Sequence, residues 1–235
     1  MDGSLRFCVR THHVTGLRID GLGQRSWICR EYNRREVFHV IKGFTKQYVQ
    51  ALAPYIAVLL FWCVWPNAWL AILAYHAQIL LWNRDRLRKR RLPRSRQYFL
   101  LACPAVLTGP LVYVLLPVIT RTDLVAWLAT YHLSGPSLIL MIPYFGVVHP
   151  VLEQRHWNPL REHGARFHLV FAGYHMIVLW PLLTLPGLML CFGVLAGASF
   201  AWTWLCRKSQ GLTVPVISHI FADLGVILAT WASIR

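Results

Sequence analysis

Acid is the scarcest chemistry in this 235-residue chain: nine Asp and Glu stand against 24 Lys and Arg, a formal net charge of +15. Past residue 123 only Glu153, Glu162 and Asp223 remain. Charge of either sign is sparse too, at 14% of residues against 56% hydrophobic, and a soluble domain of this length cannot hide that much apolar surface. The six cysteines, Cys8, Cys29, Cys63, Cys103, Cys191 and Cys206, include no Cys-x-x-Cys pair, so neither a disulfide framework nor a thiolate zinc site follows from their spacing. The first 46 residues contain no apolar core of signal-peptide length, and no internal repeat or low-complexity tract is present.

What is there is a series of long apolar runs separated by basic segments. That arrangement places the positive charge beside anionic lipid in cytoplasmic loops and argues against nucleic-acid binding. Residues 1–46 read as a basic cytoplasmic arm, ending in an interfacial helix around "REVFHVIKGFTKQY". Residues 48–82 are long enough for two spans, with Pro66-Asn67 as the turn between them. The segment 83–97, "NRDRLRKRRLPRSRQ", holds eight Lys or Arg against one Asp and is the strongest cytoplasmic signal in the chain. Spans follow at about 98–119, from Gly135-Pro136 to near Trp157, at 167–185 and 187–206 joined by Pro186-Gly187, and at 215–234, with 123–134 as an eighth candidate.

The expected fold is therefore all-α: one membrane domain, 47–235, of seven to eight transmembrane helices. The expected location is an integral, multi-pass position in a bacterial inner membrane with the N-terminus cytoplasmic. Most of the eleven tryptophans, among them Trp62, Trp65, Trp82, Trp180, Trp202 and Trp204, fall near predicted span ends and read as interfacial belts.

Ionisable side chains inside apolar spans are costly and usually face a polar cavity or a partner. Glu153 lies near the cytoplasmic end of its span. His175 lies about eight residues into the next, roughly 12 Å deep at 1.5 Å per residue. His219 and Asp223, four residues apart, point from one face of the last helix, at a similar depth. Four polar groups on three helices thus share one leaflet and predict a single buried site open to the cytoplasm. His76, His132 and His168 read instead as histidines bonded to nearby backbone carbonyls. His149, Glu153 and His156, at i, i+4 and i+7, form a competing metal-ligand stripe.

Three stretches, "HPVLEQRHWN", "FAGYH" and "VPVISHIFAD", resemble the motifs of the CPBP family, the CAAX proteases and bacteriocin-processing enzymes also called Abi. The family pattern is Glu-Glu-x-x-x-Arg, then Phe-x-x-x-His, then His-x-x-x-Asn or Asp. Glu153 matches the first Glu, Phe171 to His175 the second motif and His219 to Asp223 the third, over about residues 98–235. Gln154 stands where the second Glu would be and Asn158 where the Arg would be, with Arg155 as a partial substitute.

The resemblance implies a glutamate-dependent intramembrane protease with Glu153, His175, His219 and Asp223 as catalytic residues. Gln154, Asn158, Phe171 and Arg155 would support them, and no cofactor is required. The implied partners are membrane lipids and a membrane-associated peptide, protein or lipid substrate. Three alternatives stand beside it: a divalent metal such as zinc on the two histidines and two carboxylates, acyl transfer between lipid and amine, and a non-enzymatic immunity or scaffold role.

Overall fold

The computed structural model describes the backbone of residues 5–10, 27–32, 34–87 and 96–235, and the side chains of 46–83 and 99–235. Two compact units divide the chain, Met1–Val49 and Gln50–Arg235. In the first, strands β1 (Leu5–Arg10) and β2 (Trp27–Tyr32) pair antiparallel, so the stretch expected as a basic cytoplasmic arm contains a strand pair. Helix α1 (Arg34–Val58) begins there, where an interfacial helix is expected.

The second unit is helical. A π-helical turn, Leu59–Val64, extends α1, and α2 (Ala68–Leu87) follows the Pro66-Asn67 corner. Asn67 Oδ1 accepts from the Leu70 amide at 3.0 Å, which satisfies one of the orphan donors of the first turn. A 3-10 segment, Arg96–Leu107, runs into α3 (Thr108–Ile119). Next come the short α4 (Leu124–Thr130), capped by Asp123, and α5 (Pro136–Pro143). A second π-helical turn, Tyr144–Val148, joins α5 to α6 (His149–Arg161). The chain ends with α7 (Arg166–Leu179), α8 (Leu185–Ser209) and α9 (Thr213–Ser233).

Among the described residues five helical stretches are long and apolar enough to cross a membrane: Lys46–Val64, Phe99–Ile119, Pro136–Arg161, Leu185–Ser209 and Thr213–Ser233. The other expected spans fall short of that length or apolarity for local reasons. Helix α2 ends in Arg84, Asp85 and Arg86, and α7 is cut to 14 residues by the turn after Leu179. The candidate eighth span holds only the seven residues of α4, about 10 Å of helix. Pro186 is not in a joint between spans but in the first turn of α8, where its missing N–H costs nothing. Most of the basic segment 83–97 lies outside the described residues. Large apolar side chains such as Val64, Leu100, Val114 and Val118 point outward, as lipid-facing positions do.

Helix α9 is the element on which the interior is assembled. It packs against the 3-10 segment, α3, the Tyr144–Val148 turn, α8 and α6. Its approach to α3 is backbone to backbone, because Gly109 and Gly225 face each other; a Cβ on Gly225 would sit 2.6 Å from the Gly109 nitrogen. On its other side Leu224 fills the space where Gly146 lacks a side chain. Small residues that let helices touch are the usual packing device where lipid supplies no hydrophobic drive. The π-helical turn precedes Pro150, which has no N–H for a regular α-helical bond. The wider turn resets the register from which α6 presents His149 and Glu153.

Gly225→Ala should therefore lower stability by about 1–3 kcal/mol, since the neighbour is backbone and cannot rotate away. Gly193→Ala, where nothing lies within 4 Å of the added carbon, should cause no loss. Thermal unfolding of the two variants in detergent micelles measures the difference.

Candidate active site

Glu153 is fully buried on α6, and its two oxygens have different surroundings. Oε1 accepts from the Tyr75 hydroxyl of α2 at 3.2 Å and from the Tyr174 hydroxyl of α7. The Tyr75 oxygen in turn accepts from Trp157 Nε1 at 2.8 Å, so its own proton is directed to Glu153. Oε2 lies 3.5 Å from His149 Nε2 and 3.5 Å from His219 Nε2, and has no hydrogen-bond partner of ordinary length in the protein. His219 Nε2 is also 3.3 Å from Asp223 Oδ1, one turn along α9. Asp223 is the most open member of the group, with 13% of its side chain exposed against none for Glu153.

The histidine spacing follows helical geometry. His149 and Glu153, and likewise His219 and Asp223, are i, i+4 pairs on single faces. Behind His149, its Nδ1 meets His76 Nε2 at 2.9 Å, and His76 Nδ1 meets the Tyr144 hydroxyl at 2.8 Å. A row of hydrogen-bonding side chains thus runs from the π-helical turn through α2 to the carboxylate. His76 is a member of this row rather than a backbone-satisfied histidine. His168 likewise bonds a side chain, Ser199 Oγ, at 2.9 Å.

The other face of α6 carries Gln154, whose Nε2 lies 3.1 Å from His219 Nδ1 and whose Oε1 accepts from Arg161 Nη1 at 3.0 Å. Arg161 is buried, with its guanidinium 4.5 Å over the Phe171 ring and 5.5 Å from that of Trp202. Trp202 also stacks on His219, with ring centroids 4.0 Å apart. It is 5% exposed, as Trp62 is 7%, so these two tryptophans belong to the interior and not to an interfacial belt.

The structure brings Glu153, His219, Asp223, Gln154 and Phe171 of the sequence-predicted residues into one constellation. His175 stands differently: its Nδ1 donates to the Phe171 carbonyl at 2.9 Å while its ring stacks on Tyr174 at 3.9 Å. It therefore reaches Glu153 through the tyrosine rather than by a hydrogen bond of its own. Asn158 donates to Glu162 Oε1 at 3.3 Å, and Arg155 is half-buried on α6. The guanidinium that meets Gln154 belongs to Arg161, seven residues on, where two helical turns return to the same face. His156 turns to Asn83 at 3.3 Å and to the Gln50 carbonyl at 3.0 Å, away from the His149–Glu153 face. Among the described residues no group of three or more His, Cys, Asp or Glu side chains is arranged to hold a metal ion.

Sequence reasoning did not single out Tyr75, Tyr174 or Arg161, and it set His76 aside as a backbone-satisfied histidine. The i+7 spacing of Gln154 and Arg161 was the available signal; the tyrosines carry none, because an aromatic on an apolar helix reads as packing. Searches against protein-family models, curated proteins and solved structures return no match for this chain.

Replacing Tyr174 with Phe removes one of the donors to a buried carboxylate and should cost about 1–3 kcal/mol. Adding Tyr75→Phe removes the other and also strips Trp157 Nε1 of its acceptor. The double variant should lose more than the sum of the singles, because the first loss leaves one donor and the second leaves none. A double-mutant cycle by chemical denaturation in micelles reads that coupling.

Proposed function

We propose that this chain is an intramembrane hydrolase in which Glu153 is the general base, cutting an acyl bond of a membrane-associated or lipid-bearing protein at the cytoplasmic leaflet of a bacterial inner membrane. The observation that carries the reading is the asymmetry of Glu153: Oε1 is held by two tyrosines, while Oε2 is buried and without a hydrogen-bond partner of ordinary length beside two imidazole edges. An oxygen so placed is a proton acceptor aimed by its own carboxylate's anchoring.

In this reading a water beside Oε2 attacks the substrate carbonyl carbon. Its oxygen forms the new bond, and its proton passes to Glu153. The carbonyl oxygen gains negative charge and accepts from a nearby N–H, for which His219 Nε2, flanked by Asp223, is the candidate. Collapse of the tetrahedral intermediate breaks the bond to the leaving amine, which takes the proton back from Glu153. His175 supports the site by stacking on Tyr174, and Asp223 holds the His219 ring from the more open side. The motif resemblance favours a peptide bond over a lipid ester. The basic segment 83–97 favours a cytoplasmic opening and, with it, a cytoplasmic N-terminus.

The test is comparative. Full-length protein is reconstituted in liposomes with a detergent extract of bacterial membrane proteins, and new peptide N-termini are counted by mass spectrometry. Wild type should generate a defined set that Glu153→Gln and His219→Ala both abolish. Release of fatty acid or transfer of an acyl chain to amines, without new N-termini, would move the reaction to lipid chemistry. The same N-termini from Glu153→Gln would overturn the assignment of the base.

A further inference from the structure

Arg161 and Gln154 form a chain of hydrogen bonds whose polarity is fixed from one end. A guanidinium only donates, so the Gln154 atom that meets Arg161 Nη1 at 3.0 Å is the amide oxygen. The amide nitrogen then faces His219 Nδ1 at 3.1 Å. That nitrogen also only donates, so Nδ1 must be an unprotonated acceptor. A neutral imidazole with a bare Nδ1 carries its proton on Nε2. Nε2 is the atom that lies 3.5 Å from Glu153 Oε2 and 3.3 Å from Asp223 Oδ1, both of them acceptors.

From this geometry we infer that Arg161, acting through Gln154, locks His219 into the Nε2–H tautomer and makes it a dedicated hydrogen-bond donor to the site. Both ring nitrogens are then committed. Nδ1 already accepts from the amide, and Nε2 has no lone pair to offer a proton or a metal ion. His219 cannot share the role of base, which falls to Glu153. The Trp202 ring stacked on His219 and the Phe171 and Trp202 faces around Arg161 keep both ends of the chain in place. Arg161 and Gln154 are positioning residues; neither is placed against the reacting atoms.

The glutamine itself acquires a purpose here. A carboxylate at position 154 would still accept from Arg161, but it would present an oxygen to Nδ1. The imidazole would have to carry a proton on that nitrogen, whether as the opposite tautomer or as imidazolium. The catalytic meaning of the lock rests on the reading of Glu153 as base, whereas its hydrogen-bond polarity can be measured without turnover.

The experiment is a long-range 1H–15N correlation on the full chain, labelled with [15N]histidine in lipid nanodiscs, with His219 assigned by its disappearance in His219→Gln. In wild type the proton should sit on Nε2 with Nδ1 bare; in Gln154→Glu it should appear on Nδ1. Adding zinc ions to the wild type should leave the Nε2–H signal in place. A proton on Nδ1 in the wild type, an unchanged Nδ1 in Gln154→Glu, or loss of Nε2–H on adding zinc would each overturn the lock. The wild-type spectrum decides by itself even where the variant does not fold. Retained turnover in Glu153→Gln would remove the hydrolase reading and leave the tautomer result standing.

Discussion

A carboxylate enclosed among apolar helices costs several kcal/mol unless its oxygens are satisfied and its charge is compensated. That constraint shapes the interior around Glu153. Two tyrosyl hydroxyls from α2 and α7 converge on one oxygen, and two imidazoles from α6 and α9 border the other. Arg161, buried on the same helix, meets Gln154, the residue next to Glu153. Each of these groups would itself be expensive to bury alone. Gathered together, several of them pair with one another, Glu153 Oε1 with two tyrosines and Gln154 with Arg161 and His219, so these polar residues of four helices lie side by side.

The cluster depends on how closely the backbones approach. Asp223 and Gly225 are two residues apart on α9, so the glycine contact that seats the helix on α3 also fixes where the His219–Asp223 pair stands and where His219 meets α6. On α6 the preceding π-helical turn has the equivalent function, setting the rotation at which His149 and Glu153 face inward. Packing and chemistry are therefore set by the same few positions. An outward-facing residue such as Val114 or Val118 has no such double role.

The amide at position 154 has a definite physical consequence. A neutral amide between a guanidinium and an imidazole has one satisfied orientation, because it offers one acceptor and one type of donor. A carboxylate there would present acceptors in both directions. The side chain thus selects which nitrogen of a neighbouring helix's histidine is protonated, although it lies outside the pair of carboxylates that flank that ring.

Helices apolar and long enough to cross a membrane, and the gathering of Glu153, His219 and Asp223 into one cluster, are legible in the sequence. Hydropathy over a span and i, i+4 spacing are local quantities, and an acid in an apolar run is conspicuous wherever it folds. The structure alone decided which histidines face the glutamate. His149 reaches it from its own helix, and His175 turns to a carbonyl one turn back. His76 joins the row although its sequence neighbourhood resembles that of any buried histidine. Tyr75 and Tyr174 became carboxylate donors for the same reason: a hydroxyl's partner is set by the rotation and separation of two helices. Those quantities follow from long-range contacts such as Gly109 against Gly225, and no short window of residues contains both sides of such a contact.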